Sequence, residues 1–348
     1  MKNIVFTDHI NAWSIKKGLK KFGLDLFSIQ KNTKLIPFID KEKIKEVDTL
    51  FFTEENSLKE YVNNHNDYKF EPRYFNIELL DDKLEFANFL LGIEENPIPS
   101  RSLNTHESDY PFYLKCKHSW KDGMKLPRGF IVNNQNEVND VIDEINDNQW
   151  DTDWFFHQKL LNSSIENNIS TSGYFDYKNN NRNAIIISKK THGSTSTMAT
   201  GAVIETIKDP NNLIDRTNYI LNELKYQGPF ELEFFYEEAD EQHYVLELNP
   251  RFWMQHGIFI DLYDNALIKR YLYKDKVDDW YEDGIAPYKH IIWVDSTHII
   301  FSLLKFRLKP MLILLKLKGK KIFYPSIPTA TGFCLRKVAK TIANKLKN

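Results

Sequence analysis

A hairpin near residue 240 constrains this chain more than any other segment. The run Gly228-Pro229-Phe230-Glu231-Leu232-Glu233-Phe234-Phe235-Tyr236 is followed by a polar stretch, Glu237 to His243. After it comes Tyr244-Val245-Leu246-Glu247-Leu248-Asn249-Pro250-Arg251. Both flanking runs are aromatic and aliphatic and alternate with period two, so both read as strands. The polar stretch reads as their loop. Side chains two apart share a face. A loop centred on Asp240 sets Glu233 opposite Glu247 and Glu231 opposite Asn249, which gathers three carboxylates and an amide on one face. Like charges directly opposite destabilise a sheet, so this face calls for a cation. Carboxylate and amide oxygens without His or Cys suit Mg²⁺, which is commonly shared with nucleotide phosphates. Glu231 alone reads equally well as a solvated strand residue. Glu233, Glu247, Asn249 and Arg251 together do not.

The chain has 348 residues, enough for more than one domain and a substantial core. Aromatic residues make up 14%, which excludes a disordered chain. A net charge of -2 points away from a bulk polyanion partner. The basic residues are not interleaved with aromatic stacking positions, so a nucleic-acid role is not expected. Cys116 and Cys334 cannot make a disulfide framework, and both read as packing residues in a reducing, cytoplasmic setting. The first strand begins at once with Asn3-Ile4-Val5-Phe6, so no signal peptide is expected.

Charge is unevenly placed. From Lys289 to Asn348 the only acidic residue is Asp295, against about a dozen Lys and Arg. Lys305, Arg307, Lys309 and Pro310 break the apolar run there, so a membrane span is not expected. The favoured reading is a helical packing segment with a solvated basic face; the alternative is a tail lying on an anionic membrane surface.

Lys2 to Ile29 reads as strand, loop, helix (Ile15 to Phe22), Gly23 and strand, a small α/β unit. Its loop Thr7-Asp8-His9-Ile10-Asn11 follows the first strand, where open α/β sheets tend to bind ligand. Neither GxGxxG nor GxxxxGK is present. Asp82-Lys83 opens a helix through Leu91. Tyr110 to Lys115, Gly129 to Val132 and Trp154 to Leu161 read as strands, with a helix from Glu137 to Ile145. Ser170 to Tyr177 and Ala184 to Lys190 form a hairpin, and a helix follows from Leu213 to Leu224.

The order of Asp-Lys, an apolar strand ending in lysine, a polar loop, Gln-Lys-Leu-Leu, and Glu-Phe followed by Glu-x-Asn-Pro-Arg resembles the ATP-grasp superfamily. The resemblance covers about residues 80 to 260. The sequence after Arg251 and the basic tail are most like those of bacterial carboxylate–amine ligases. The implied fold is α/β: a Rossmann-like pre-ATP-grasp domain (1–79), a two-lobed ATP-grasp domain (80–285) hinged near 157–161, and a basic helical C-terminal extension (286–348). The resemblance assigns ATP phosphates to Lys83 and Lys115, adenine to the backbone of His157-Gln158-Lys159-Leu160, and ribose to Glu166. Mg²⁺, with Mn²⁺ as the alternative, goes to Glu233, Glu247 and Asn249, and the transferring phosphoryl group to Arg251. The lid loop, Lys117 to Arg128, has only Gly123 among its lysines, so side-chain charge such as that of Lys117 partly replaces backbone cradling. Lys189 or Lys190 is a further candidate for phosphate, with a basic strand end as the equal alternative.

The implied reaction is ADP-forming: a carboxylate attacks the γ-phosphate, and an amine displaces phosphate from the acyl phosphate. Asp8, His9, Trp253 and Gln255 are candidates for the pocket of the small-molecule carboxylate and amine. His256 is a candidate for acting on the amine, with packing as its simpler role. Two rivals stand beside this reading. One is a nucleotide-binding module without turnover; the other is a ligase for a membrane-associated surface-polymer precursor. Self-association is left open by the sequence.

Overall fold

The computed structural model describes residues 1–6, 10–30, 36–45, 48–64, 76–103, 109–121, 123–161, 164–179, 183–193, 201–273, 284–305, 307–327, 330–332 and 334–335. Asp8 and His9 lie outside them. The chain opens with β1 (Asn3–Val5), α1 (Ile10–Lys20), β2 (Leu26–Ser28), β3 (Thr49–Phe51) and α2 (Glu55–Asn64). The strands pair in parallel in the order β2-β1-β3. Helix α1 begins earlier than its expected start at Ile15. Ala12, Ile15 and Leu19 are all buried, so its apolar stripe already runs through the first turn.

Next come α3 (Ile77–Asp81) and α4 (Lys83–Gly92). The Asp82 carboxylate accepts from the backbone N–H of Leu84 at 2.9 Å and of Glu85 at 3.1 Å. This N-cap satisfies two of the helix's orphan donors and fixes Lys83 as the first helical residue. The following elements are β4 (Ser100–Ser102), β5 (Phe112–Cys116), β6 (Trp120–Lys121), β7 (Met124–Lys125), β8 (Gly129–Val132), α5 (Gln135–Asp147) and β9 (Phe155–Lys159). Strands β4, β9, β5 and β8 form one antiparallel sheet in that order. One face of that sheet is covered by α5, whose Val138, Val141 and Ile145 pack with Phe112, Leu114 and Val132. The β6–β7 hairpin lies within the expected lid.

The second sheet is built from β10 (Asn168–Asp176), β11 (Ala184–Gly193), β12 (Gly201–Thr206), β13 (Gln227–Glu237) and β14 (Gln242–Asn249), with α6 (Leu213–Glu223) before the hairpin. Helices α7 (Gly257–Leu262) and α8 (Ala266–Tyr273) then bury Phe259, Leu267 and Tyr271 against Ala12, Ile15 and Leu19 of α1. One core therefore joins the N-terminal unit to the large sheet.

The segment after residue 286 differs from the expected helical extension. It supplies β15 (Ile291–Asp295), α9 (Ser296–Leu304), α10 (Lys309–Lys316) and β16 (Lys320–Tyr324). The two strands join the large sheet, whose order is β14-β13-β10-β11-β12-β15-β16. The run Ile291-Ile292-Trp293-Val294 is β-branched and aromatic, suited to a strand buried on both faces, and its four side chains are buried.

The hairpin at residue 240 pairs as its pattern predicts. Glu231 lies opposite Asn249 and Glu233 opposite Glu247. Beyond this the register shifts by one, so that Phe234 faces Val245. Leu246 is the extra residue of a β-bulge. Val245 and Leu248 consequently reach the same apolar cluster, with Phe234 and Leu232.

Candidate active site

A cleft of about 540 Å³ lies between the two sheets. The small sheet contributes Tyr113, Lys115 and Gln158, and the start of α4 contributes Lys83. The large sheet contributes Lys190 from β11 and Glu231, Glu233, Glu247 and Asn249 from the hairpin. The N-terminal unit adds Asn11, Glu54 and Glu55, and the segment after the hairpin adds Arg251 and Gln255. Residues that sequence order scatters over 240 positions thus meet because three separate units close on one space.

The carboxylate face is dense and largely buried, with Glu247 its more accessible member. Glu231, Glu233 and Asn249 are all buried. The amide of Asn249 donates to Glu231 at 3.2 Å. One oxygen of Glu233 accepts from the Lys190 ammonium at 2.7 Å and from the Asn168 amide at 3.0 Å. Burial works against the charge of Glu233, but Lys190 outweighs it and holds this carboxyl below the usual range. Glu231 goes the other way. Burial, then the neighbouring Glu233, pushes its carboxyl up to about 8. Two carboxylates on one strand face in low dielectric cannot both ionise cheaply. Lys190 is bonded to one of them, Glu233, and Glu231 is left with the amide of Asn249. Glu247 makes no hydrogen bond or ion pair with any described residue. It completes an all-oxygen donor set of the kind that suits Mg²⁺ or Mn²⁺. Among the described residues no group of three or more His, Cys, Asp or Glu side chains is drawn together as a closed metal cluster.

Opposite this face stands Lys115, only 7% exposed. Burial, reinforced by Lys83 and opposed by Glu247, lowers its ammonium to about 8. Lys83 lies beside the base of the lid, its ammonium donating to the Lys117 carbonyl at 3.4 Å and its backbone N–H to the same oxygen at 3.1 Å. Arg251 donates from Nε to Glu55 at 3.1 Å and from its terminal nitrogen to Asn249 at 3.2 Å. Its guanidinium thus ties the donor face to the N-terminal unit. One wall is apolar, made by Ile98, Leu161, Phe235 and Leu246.

Of the site residues expected from sequence, Lys83, Lys115, Gln158, Lys159, Lys190, Glu233, Glu247, Asn249 and Arg251 line this cleft. The side chains of Lys117, Leu160 and Glu166 are not among the lining residues. Leu160 follows the end of β9, and Glu166 sits in a short 3-10 turn, Ile165–Asn167. Lys189 points away, as period two demands, and its ammonium lies 4.0 Å from Glu205. Gln255 lines the cleft, whereas Trp253 is buried in the core. His256 is fully buried, and burial lowers its imidazole to about 4 although its Nδ1–H donates to the Trp253 carbonyl. That supports packing over acid–base work. Burial pushes the Cys116 thiol up to about 11, which removes it as a nucleophile at neutral pH.

Several site residues have no sequence signal. Asn168, which orients Glu233, and Glu55, which holds Arg251, stand 65 and 196 residues from their partners. A third is Asp81, which bonds His118 at 2.8 Å and Lys59 at 2.8 Å. Burial opposes its charge, yet His118 and Lys59 bring its carboxyl down to about 2. This network ties the base of the lid to α2.

No family model and no curated protein sequence matches the chain. Solved structures do match. N5-carboxyaminoimidazole synthetase from Staphylococcus aureus aligns at 15% identity over 89% of this chain and 86% of its own, with a TM-score of 0.62. Biotin carboxylase from Campylobacter jejuni, in complex with an ATP analogue, aligns at 15% identity over 80% and 72%, with a TM-score of 0.57. L-amino acid ligase from Bacillus licheniformis aligns at 12% identity over 72% and 67%, with a TM-score of 0.52. All three are ATP-grasp enzymes. The chain has the ATP-grasp fold.

Proposed function

We propose that this protein is an ATP-dependent ligase that joins a carboxylate to an amine through an acyl phosphate and releases ADP and phosphate. The observation that carries this reading is the oxygen-donor face of Glu231, Glu233, Glu247 and Asn249, held in one cleft with Lys83, Lys115 and Arg251. Three carboxylates and an amide oxygen converging on one face fit a divalent cation. Glu233, Glu247 and Asn249 would hold Mg²⁺, with Mn²⁺ satisfying the same donors. When bound, the ion would neutralise charge on the phosphate oxygens.

The side chains of this chain do the rest. Lys83 and Lys115 offer compact positive charge to the phosphates. The slot of Ile98, Leu161, Phe235 and Leu246 accepts a flat apolar ring such as adenine, beside the polar backbone after β9. The Arg251 fork, now on Glu55, is free in its chemistry to take a substrate carboxylate in the same bidentate way. Burial of the cleft and the β6–β7 hairpin exclude water, which an acyl phosphate requires. In the first step a carboxylate oxygen forms a bond to the γ-phosphorus as the bond to ADP breaks. In the second the amine bonds the acyl carbon, phosphate leaves with the bonding pair, and the amine loses a proton.

The test is ADP release by the purified full chain with Mg-ATP across a panel of carboxylates and amines, alone and in pairs. Release that needs one of each, and that is lost in Glu247→Ala, is expected. Absence of release with every pair, or full turnover in Glu247→Ala, would overturn the reading. A nucleotide-binding module without turnover is the second reading. It is favoured by Lys190, whose ammonium already sits on Glu233, and tight ATP binding without ADP formation under any pair would select it.

A further inference from the structure

Helix α10 carries two apolar stripes, and the protein core uses only one. Leu314, buried, packs with Val203, Ile292, Val294 and Ile299, and Leu317 flanks this cluster. On the other side Leu308, Met311, Leu312 and Leu315 follow the i, i+3, i+4, i+7 spacing of a single helix face. They face outward: Leu308 is 60% exposed, Leu312 55% and Leu315 75%. The end of α9 continues the patch with Leu304, 50% exposed. A second continuous stripe of this kind is not the scatter of single exposed apolar residues that any surface shows.

The charge around it has one sign. Residues 289 to 348 hold 13 Lys and Arg against one acidic residue, Asp295, which leaves 47 acidic against 33 basic residues in the first 288. Lys305, Arg307, Lys309, Lys316 and Lys318 are exposed around the stripe, and among the described residues none of them is ion-paired. Asp295 is engaged elsewhere, capping α9 through the backbone N–H groups of Thr297 and His298. A leucine stripe rimmed by unpaired cations, on a chain otherwise acidic, is complementary to a surface that is apolar beneath and anionic above. Two copies of this face would bring like charges together.

We infer that α10, with the end of α9, docks the protein on an anionic lipid bilayer, its leucines entering the headgroup boundary and its lysines meeting lipid phosphates. No helix among the described residues is long and apolar enough to cross a membrane, so the contact is interfacial. The sheet order separates the docking face from the donor face. Leu314 seats α10 on Val203 of β12 and on Ile292 and Val294 of β15, which lie three and four strand spacings from β13, about 14–19 Å. This inference stands apart from the ligase reading.

The experiment is co-sedimentation of the full chain with vesicles of phosphatidylglycerol mixed with phosphatidylcholine, and with vesicles of phosphatidylcholine alone. Pelleting with the anionic vesicles only is expected. Leu312→Ser with Leu315→Ser, and separately Lys309→Glu with Lys316→Glu, are each expected to lower partitioning about tenfold or more. All four positions are exposed, so circular dichroism should match the parent. Failure to pellet with anionic vesicles, or equal pelleting by parent and variants, would overturn the inference. A dimer in solution that dissociates on Leu315→Ser would overturn it too, by assigning the stripe to a second copy.

Discussion

Lys115 is predicted to weaken the fold that it serves. Its ammonium is buried in β5 and lowered to about 8 from an ordinary 10.5. Between those values the unfolded chain holds a proton that the folded chain has released, so stability rises with pH across the window from about 8 to 10.5. Below about 8 the lysine is charged in both states and its full penalty is present. At 1.36 kcal/mol per unit, that penalty is about 3 kcal/mol near pH 7. Replacing Lys115 with Met keeps most of the volume and removes the buried charge. The Lys115→Met variant is expected to be more stable than the parent by about 3 kcal/mol at pH 7, with the gap closing to well under 1 kcal/mol above pH 11. Urea titrations of both proteins along that pH range measure the difference, in which the other titrating groups cancel. The same substitution should abolish ATP-dependent thermal stabilisation, since the charge removed is the one offered to phosphate. A variant less stable than the parent at pH 7, or a gap that does not change with pH, would refute the claim that Lys115 is held at the expense of stability.

Two further outcomes are expected. Glu233→Ala leaves the Lys190 ammonium buried without its partner and should cost about 3–5 kcal/mol, recovered largely in the double variant Glu233→Ala with Lys190→Met; chemical denaturation of the three proteins decides it. Lys225 follows α6 with φ of 51°, its backbone N–H bonding the Asn222 carbonyl, a left-handed position that glycine takes without strain. Lys225→Gly should therefore stabilise by about 0.5–1 kcal/mol, read as a rise in thermal midpoint.

Local chemistry was the legible part of this protein. The shared face of Glu231 and Glu233, and that of Glu247 and Asn249, follow from strand period, and the Asp82 cap from helix-start chemistry. These depend on residues close in sequence. That Glu233 meets Glu247 depends also on the bulge at Leu246, which nothing in the local pattern marks. The lysine at the end of β5 and the donor face were legible as types, and the fold brings them to one cleft. Illegible were contacts that loop closure alone creates. Asn168 meets Glu233 because β10 pairs with β13, and Glu55 meets Arg251 because the backbone N–H of Phe252 bonds the Phe52 carbonyl just before α2. Strand β15 has a local signal in Ile291-Ile292-Trp293-Val294, but so short an apolar run does not by itself distinguish a buried strand from a buried helix. Its partner strands β12 and β16 lie far enough along the chain that no local pattern announces them.

The bulge at Leu246 gives one hairpin two reading frames. Towards the turn, Phe234 and Val245 keep the frame of the apolar core. Towards Asn249, Glu233 and Glu247 keep the frame of the donor face. If the strand kept every residue but lost the bulge, Leu246 would take the place opposite Glu233 and the second frame would invert, turning Glu247 and Asn249 away from the cleft and Leu248 towards it. Parity counted from the turn therefore assigns Glu247 and Asn249 to the core, whereas parity counted back from Asn249 sets them with Glu231 and Glu233, so a donor face of this kind is found by counting from its far end.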